Sequence, residues 1–446
     1  MSDSIAQLEQ RLNHFDPAIR RASLETLAAK QATGEIAPTP YSAHHNLHCH
    51  TFFSYNGYGY SPSYLAWWAK KTGLHAVGIV DFDVLDAVDE FLAASRLLGL
   101  RHCAGIETRI FLPEFETREI NSPGEPGIAY HMGVGFTSGS VPDTAFLASL
   151  KETAQRRNAD VIARVNAFVP EIALDLQKDV VPLTPNGNPT ERHLCRAYDE
   201  RSQVVFPDKQ QRAQYWADKL KLNVDDVLKG IDDAPNFQGT IRGKLMKSGG
   251  PGYVKPEPTS FPQLKRFNEF VLTAGAIPTC AWLDGTTAGE KAMEELLRIQ
   301  MDAGVALLNI IPDRNWNIKD PAQKAIKVQN LNDVIALAIR LGLPVIVGTE
   351  MNAYGQKHVD DFDTPELAQH METFVEGANI VYAHTALQAL AGIGYCSEWS
   401  KTNFATPEKR NLFYEEVGAK LRPEAFANFS ITADMTPQEL LKKVIL

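Results

Sequence analysis

The 446-residue sequence predicts an α/β fold built around a β/α barrel. From residue 44 onward, short apolar segments alternate with amphipathic ones, which predicts parallel strands joined by crossover helices. The alternation breaks between residues 141 and 255, where the chain is polar and helical in pattern, and it then resumes. A polar side chain follows nearly every predicted strand, as on the active-site face of a β/α barrel.

Composition excludes several classes of protein. Hydrophobic residues make up 44% and charged residues 22% of the chain, which is typical of a globular protein with a large core. The net charge of −10 argues against a nucleic-acid partner, because an acidic surface repels phosphate backbones. No apolar run reaches the roughly 18 residues that a membrane span needs. The polar N-terminus lacks a signal-peptide pattern, and five scattered cysteines without a CxxC pair indicate reduced thiols.

These features predict a cytoplasmic protein that acts on a small molecule and has neither a nucleic-acid nor a membrane partner. They leave its oligomeric state open.

The first elements can be placed from helix signals. Residues 1–42 are predicted to form an N-terminal helical extension, since Asp16 followed by Pro17 is typical of a helix start. Residues 43–140 are assigned to the first part of the barrel. Its predicted strands cover residues 46–50, 75–80 and 102–106, and its predicted helices cover residues 61–73 and 84–98.

The remaining elements follow the same logic. Residues 141–255 are predicted to form a helical insertion that returns to the barrel through a Gly/Pro-rich loop. Residues 256–385 are assigned to the second part of the barrel, and residues 386–446 to a C-terminal helical extension. The predicted strands of the second part cover residues 277–281, 305–311, 344–348 and 379–383, with helices at 261–275, 289–303 and 331–341.

The segment NLHCHT, residues 46–51, is the strongest local signal. Histidines at i and i+2 on a strand point to the same side, so His48 and His50 could hold one metal ion. The alternative is a pair of hydrogen-bonded polar histidines at a strand end, and the isolated pattern does not decide between the two.

Several motifs in the same order resemble those of the polymerase and histidinol phosphatase (PHP) family. HCHTFFSYNG, GIVDFD and GIE resemble its HxHTxxSDG, TDH and GIE motifs. His131 in YHMGVGF resembles its next histidine. Four further segments are similar to later motifs of the family: PTERHLCRA, GPGYVKPEP, GAIPTCAW and VGTEMN. The resemblance covers residues 44–352.

The resemblance implies a distorted (β/α)7 TIM-like barrel of PHP type, with a metal-dependent phosphoesterase site of up to three ions. One site would use His48, His50, Glu107 and Glu350, and all four positions keep ligand chemistry. A second would use Glu107, His131 and the position that Trp282 now holds, so one ligand is missing.

The third family site would use the positions of Tyr55 or Asn56, Phe82 and Asn352. Because phenylalanine has no lone pair to donate, this site is expected to be lost. Two histidines and two carboxylates suit a divalent transition metal such as Zn, Mn or Fe. We therefore expect one ion, with a weaker second ion as an alternative.

Further residues are candidates for catalysis and substrate binding. Asp284 and His384, each after a predicted strand, could protonate a leaving group or replace the missing ligand. For His384 the alternative is a role in starting a helix. Asp81 could orient the ring of His48 or His50. Phosphate needs donors, and the candidates are Arg314, Lys244 and Lys247, although each of these cations could equally be solvated surface charge.

These residues predict a metal-dependent hydrolase, with a phosphoesterase acting on a small phosphorylated metabolite as the leading hypothesis. The loss of ligands leaves two alternatives open. One is a barrel hydrolase or lyase that uses one metal on a substrate without phosphate. The other is a degenerate member of the fold that binds a ligand without catalysis.

Overall fold

Seven strands form one sheet in chain order, and this sheet curls into a nearly closed barrel. The computed structural model describes residues 3–255, 257 and 260–445, so Pro256 and Pro258 of the GPGYVKPEP motif lie outside the described residues. The strands are β1 His45–Cys49, β2 Ala76–Phe82, β3 Arg101–Phe111, β4 Ile128–Val134, β5 Ile277–Trp282, β6 Leu307–Ile310 and β7 Val345–Val347. The expected α/β barrel is therefore confirmed.

One strand departs from the parallel arrangement that the alternation predicts. β4 pairs antiparallel with both β3 and β5, and every other neighbouring pair is parallel. A parallel strand needs a long crossover, usually a helix. The segment between β3 and β4 contains only the short helical turn Pro113–Phe115, so the chain turns back on itself.

Nineteen α-helices surround the barrel or extend from it in the described part of the chain. They are α1 Ile5–Arg11, α2 Pro17–Ala32, α3 Pro62–Thr72, α4 Val88–Leu98, α5 Thr144–Phe168, α6 Glu191–Val205, α7 Lys209–Leu220, α8 Val224–Gly230, α9 Ala234–Leu245, α10 Leu264–Thr273, α11 Ala288–Lys291, α12 Met293–Asp302, α13 Asp313–Trp316, α14 Pro321–Leu341, α15 Pro365–Ala368, α16 Met371–Ala391, α17 Glu398–Asn403, α18 Pro407–Lys420 and α19 Pro437–Ile445. Within these residues, no helix combines the length and apolarity needed to cross a membrane.

Local capping explains several of these boundaries. The Asp16 side chain accepts a hydrogen bond from the Ala18 backbone at the start of α2, and Ser61 caps α3 in the same way. α3 ends at Gly73, whose φ of 68° is left-handed and therefore favours glycine.

The helices between residues 141 and 255 enclose a hydrophobic core of their own. This core contains Trp216, Tyr198, Ile241 and other residues drawn from α5 to α9 and the loops between them. No strand occurs among the described residues of this range. A separate core supports the predicted insertion, while the exact division of the chain into domains stays a prediction.

The predicted strand at residues 379–383 is wrong. These residues lie inside α16, all of them buried. α16 packs against the first residues of several strands, namely Ala76, Ile277 and Leu307. It also contacts β7 closely, because a Cβ at Gly377 would approach the Val345 carbonyl oxygen to 1.8 Å. α16 therefore covers the amino-terminal end of the barrel.

Buried histidines should make the fold sensitive to acid. His45 and His102 are buried, and burial lowers the pKa of each to about 4. In the unfolded chain the pKa is about 6.5, so the neutral ring stabilises the fold above that pH. This stability is lost as the pH falls toward 4. We expect the free energy of unfolding to decrease across this window, by about 3 kcal/mol for each ring.

Urea unfolding between about pH 7 and about pH 4.5 measures this effect. His45 stacks on Phe362 with ring centroids 5.1 Å apart, so His45→Phe can keep the stack while removing the titrating group. His44→Phe, at the neighbouring partly exposed position, is the matched control. A pH dependence that is identical in parent and His45→Phe would contradict the assignment.

Candidate metal centre

Three donor atoms converge inside the barrel. His48 Nε2 lies 3.4 Å from His50 Nε2, and Glu107 Oε2 lies 3.4 Å from the first and 3.2 Å from the second. All three side chains are buried. In a tetrahedral site with metal–nitrogen bonds of 2.0–2.1 Å, ligand atoms are about 3.3 Å apart. The triangle therefore has the size of one face of such a shell.

Electrostatics at this group suit a cation. Burial alone would raise the pKa of Glu107, but His48 and His50 outweigh burial and lower that pKa to about 2. Glu107 is thus a carboxylate at neutral pH. Its Oε2 is buried and has no hydrogen-bond donor among the described residues. Leaving a buried carboxylate oxygen without a partner is unfavourable, and an ion between the three atoms would satisfy it.

β1 presents its histidines in a less regular way than simple alternation predicts. Pairing of β1 with β2 is irregular between Asn46 and Cys49. Leu47 and Cys49 consequently pack in two different hydrophobic clusters, although they flank His48. The prediction that the two histidines converge is consistent with this geometry, but a bulge in the strand contributes to their orientation.

Asp81 acts on His50 through an intermediate residue. Its carboxylate accepts hydrogen bonds from the Thr51 backbone N–H at 2.7 Å, the Thr51 hydroxyl at 2.6 Å and the Ser54 hydroxyl at 2.5 Å. Ser54 Oγ also lies 3.2 Å from His50 Nδ1. Asp81 is one of the catalytic candidates. Because both of its oxygens already accept hydrogen bonds, its role in this chain is to position the ring of His50 through Ser54.

Phe82 takes the place of a potential ligand beside His50. The two rings stack with centroids 4.3 Å apart and planes at 27°. Asn56 is also engaged elsewhere: its amide donates to the His50 carbonyl, and its Oδ1 accepts from the Tyr58 backbone. Two positions of the third family site therefore have structural roles in this chain.

Glu350 lies next to the group without belonging to it. The charges of His48 and Glu107 affect the pKa of Glu350, yet Glu350 lies outside the group formed by His48, His50 and Glu107. Its Oε2 accepts hydrogen bonds from Arg314 at 2.6 Å and from Gln356 at 3.1 Å. The backbone φ of Glu350 is 63°, an unfavourable value for a non-glycine residue. Its role as fourth ligand stays a prediction.

His131 points away from the group, contrary to the expected second site. The residue directly opposite Glu107 on β4 is Met132. His131 Nε2 instead lies 2.8 Å from Asn268 Oδ1 on α10, and its ring packs on Phe267 of the same helix. Trp282 packs among apolar residues of the helix layer. The structure therefore does not bring together the residues expected to hold a second ion.

The two predicted proton donors are also engaged elsewhere. Asp284 forms an ion pair with Lys327 at 2.8 Å and accepts from Thr286 at 2.5 Å. His384 belongs to α16 and does not follow a strand. Its Nε2 contacts the Gly135 carbonyl oxygen at 3.1 Å, and its Nδ1 accepts from the Tyr395 N–H at 2.9 Å. His384 is therefore a buried packing residue inside α16, and it does not start a helix as the alternative expected.

Cations of the barrel and of the insertion lie near Tyr130, a residue of β4. Arg109 follows Glu107 by two residues on β3, and Tyr130 lies directly opposite it on β4. The charges of Arg109, Arg242 and Glu107 all affect the pKa of the Tyr130 hydroxyl. Lys247 is 2.8 Å from Glu191, which also pairs with Arg242 at 3.4 Å. Lys244 lies exposed on α9. We call Arg109, Arg242 and Lys247 the mouth cations.

Sequence reasoning missed Arg109, Tyr130, Arg242 and Asn309. Asn309 is a buried residue of β6, and its side chain contributes to the raised pKa of His48. A signal for it existed, because an amide interrupts the apolar run VALLNII, residues 305–311. For Tyr130 the signal was its position beside His131, but choosing between neighbours requires the strand register.

Removing the Ser54 hydroxyl should loosen His50. Ser54→Ala breaks the only described link between Asp81 and His50 Nδ1. A change of this kind typically weakens metal affinity by about 10- to 100-fold. Competition with a chromophoric chelator measures the affinity for zinc. Ser95→Ala is the control, because Ser95 is buried and its hydroxyl has no partner among the described residues. Equal affinities in the two variants would contradict the orienting role.

Comparisons with known proteins give matches of low identity among solved structures. No protein-family model matches the chain. No curated protein matches it either. An amidohydrolase from Chromobacterium violaceum, solved with bound sulfate and no metal, has a TM-score of 0.48 and 17% identity, over 74% of this chain and 96% of its own. A proposed metal-dependent phosphoesterase from Bifidobacterium adolescentis has a TM-score of 0.45 and 17% identity, over 76% and 98%.

Proposed function

We propose that this protein is a metal-dependent hydrolase in which His48, His50 and Glu107 hold one divalent transition ion. The observation that carries the proposal is the buried triangle of Nε2, Nε2 and Oε2 atoms with edges of 3.2 to 3.4 Å. Two histidines and one glutamate form a known catalytic zinc set, in which the fourth position stays open for water or substrate. Zn, Mn and Fe all suit these donors.

The chain's own residues prepare the site for hydrolysis. A bound ion would supply Lewis acidity and lower the pKa of a coordinated water. Ser54 and Asp81 fix the ring of His50, and the Phe82 ring covers one face of it. Burial raises the pKa of Tyr130, so this phenol keeps its proton at neutral pH. We propose Tyr130 as the proton donor to the leaving group, in place of Asp284 and His384.

The mouth cations support a phosphorylated small molecule as the substrate. Arg242 and Arg109 both act electrostatically on Lys247, so the insertion and the barrel bring positive charge close together. Guanidinium and ammonium groups recognise phosphate through charge-assisted hydrogen bonds. The resemblance of the motifs to the PHP family supports the same substrate class. On this proposal the partner is a metabolite, and neither a nucleic acid nor a membrane is involved.

A substrate without phosphate is the second candidate. Each cation near the group already has a carboxylate partner: Arg109 pairs with Glu125 at 2.7 Å, and Arg314 pairs with Glu350 at 2.6 Å. Glu191 serves both Arg242 and Lys247. A phosphate would have to compete with these carboxylates, whereas an amide or lactone would not. The third candidate, a binding protein without catalysis, is favoured by Phe82 at a position where the family places a ligand.

Metal content separates the alternative ligand sets. We expect the parent to hold about one ion per chain after dialysis, because one complete ligand group is present. His50→Ala should lose the ion, since it removes one of three imidazole or carboxylate donors. His131→Ala should keep it, because His131 faces α10. Elemental analysis of the three proteins measures the stoichiometry.

Circular dichroism confirms folding in each case, since loss of the ion alone should reduce stability only through metal linkage. Phe82→His is the converse test. We expect no second ion in it, because Asn56 is engaged with the β1 loop. Loss of metal in His131→Ala together with retention in His50→Ala would place the site elsewhere.

Turnover separates the three candidate functions. We expect the zinc- or manganese-loaded parent to hydrolyse phosphate monoesters in a screen of metabolites, with amides and lactones as parallel panels. On a hydrolysed ester, Tyr130→Phe should lower kcat by about 100-fold or more, as expected for a general acid. Tyr60→Phe is the matched control, because Tyr60 belongs to the surface loop after β1. Turnover confined to amides or lactones would favour the second candidate, and no turnover with bound metal would favour the third.

A further inference from the structure

We propose that a cavity on the outer side of β3 is a binding site for a small oxyanion, separate from the metal centre. The cavity has a volume of about 240 Å³. This is about eight times the volume of a water molecule in the liquid, which is enough for a phosphate with a short organic group. It lies between the ends of β2 and β3, helix α5, and the segment that leads into α10. The inference does not depend on the proposed hydrolase function.

The lining of the cavity is rich in hydrogen-bond donors. Two guanidinium groups and four hydroxyl groups line it, those of Arg157, Arg266, Thr108, Ser149, Thr153 and Ser260. Arginine presents its N–H groups in a planar fork that matches two oxygens of a phosphate or carboxylate. The Thr153 and Ser260 hydroxyls can donate to further oxygens, whereas those of Thr108 and Ser149 already donate to Asp83 and to the Phe146 carbonyl oxygen. This is the donor set that an oxyanion needs.

Arg157 is the residue that most directly indicates an anion site. It is partly buried and forms neither an ion pair nor a side-chain hydrogen bond with any residue that the structure describes. Its guanidinium lies 4.6 Å from the ring centroid of Phe261, and that of Arg109 lies 4.5 Å from the same ring. Arg109 has Glu125 as its partner, whereas Arg157 has none. Asp83 and Glu125 act on Arg157 electrostatically, but no described oxygen accepts a hydrogen bond from its guanidinium, so its N–H donors are available to an anion.

Arg266 is already held in place for a second contact. It forms an ion pair with Asp143 at the start of α5, and its guanidinium lies 4.0 Å from the ring centroid of Phe146. Because guanidinium has five N–H donors, this pairing leaves others available to a ligand. Arg157 and Arg266 thus approach the cavity with fixed geometry from different elements.

One carboxylate belongs to the same wall and affects its charge balance. Asp83 lines the cavity, and its Oδ1 accepts a hydrogen bond from the Thr108 hydroxyl at 2.6 Å. Because Asp143 already pairs with Arg266 and Asp83 balances Arg157, an oxyanion would be held mainly by the N–H donors of the two guanidinium groups. Asp83 has an unfavourable φ of 63°, and its backbone N–H donates to the Glu107 carbonyl oxygen at 2.9 Å. The cavity wall therefore adjoins the backbone of a metal-centre residue without including its side chain.

Inorganic phosphate is the probe for this site. Because phosphate could also bind a metal ion, the titration uses the full-length His50→Ala protein after chelator treatment, with chelator-treated parent as a second background. Isothermal titration calorimetry should show saturable binding in both. Arg157→Gln in either background should raise the phosphate Kd by at least about tenfold, as expected for loss of a charge-assisted contact.

Arg156→Gln is the matched control, since Arg156 is the exposed neighbour on α5 and does not itself line the cavity, although its guanidinium donates to the Thr153 hydroxyl at 3.0 Å. It should leave the Kd unchanged. The proposal is overturned if neither metal-free background binds phosphate, or if Arg157→Gln and Arg156→Gln bind it equally. Either result would leave Arg157 as a packing residue on Phe261 and would not affect the metal centre, which the stoichiometry of His50→Ala tests separately.

Discussion

Closure of the barrel between β1 and β7 decides where the metal centre can form. The two strands are the edges of the sheet, and they meet where the histidines lie. The His50 N–H donates to the Glu350 carbonyl oxygen at 2.7 Å, and the Glu350 N–H donates to the His48 carbonyl oxygen at 2.8 Å. The same backbone contacts therefore complete the barrel and fix the two ligand residues.

This closure depends on a close approach and on a strained turn. At Gly348 a Cβ would lie 2.4 Å from the His48 backbone nitrogen, so only glycine fits. Asn46 joins the strands where backbone pairing ends, because its amide donates to Thr349 Oγ1 at 2.7 Å. Glu350 and Met351 then adopt positive φ angles of 63° and 56°. Strain of this kind costs about 1 kcal/mol or more per residue and persists only where the surroundings enforce it.

The barrel and the insertion contribute different groups to the site. The barrel supplies His48, His50 and Glu107, all of them buried. The insertion supplies Arg242 and Lys247 together with Glu191, which holds both cations near Tyr130. Two cations of the insertion thus lie near the barrel site in a chain whose net charge is −10. A substrate's reacting group and its charged group would be recognised by different parts of the chain.

The sequence predicted the barrel and the pair His48 and His50 because both depend on short-range patterns, whereas Glu107 was predicted only from the resemblance of its GIE motif to the PHP family. Apolar segments alternate with helices over long stretches, and His48 and His50 are two positions apart. Residues brought in by pairing between distant strands were harder to predict. Choosing between Tyr130 and His131 requires the register of β4 against β3, and an error of one residue moves a side chain to the opposite face.

The strand predicted for NIVYA, residues 379–383, was wrong for another reason. It is apolar and β-branched enough to resemble a buried strand, yet it belongs to a helix that is buried on all sides. In such a helix the polar face that distinguishes the two periods is missing. His384 was assigned to the active-site face only because it follows this run, so one wrong element displaced one candidate residue.

The position of α16 has a consequence for the passage of molecules through the barrel. This helix packs across the end opposite the metal centre, with Gly377 against β7, so its buried apolar side chains fill that end in the part of the chain that the structure describes. Anything that reaches His50 must enter and depart by the same route, past the loops that follow the strands. Substrate and product would then share one passage, so a product that dissociates slowly would block entry of the next substrate.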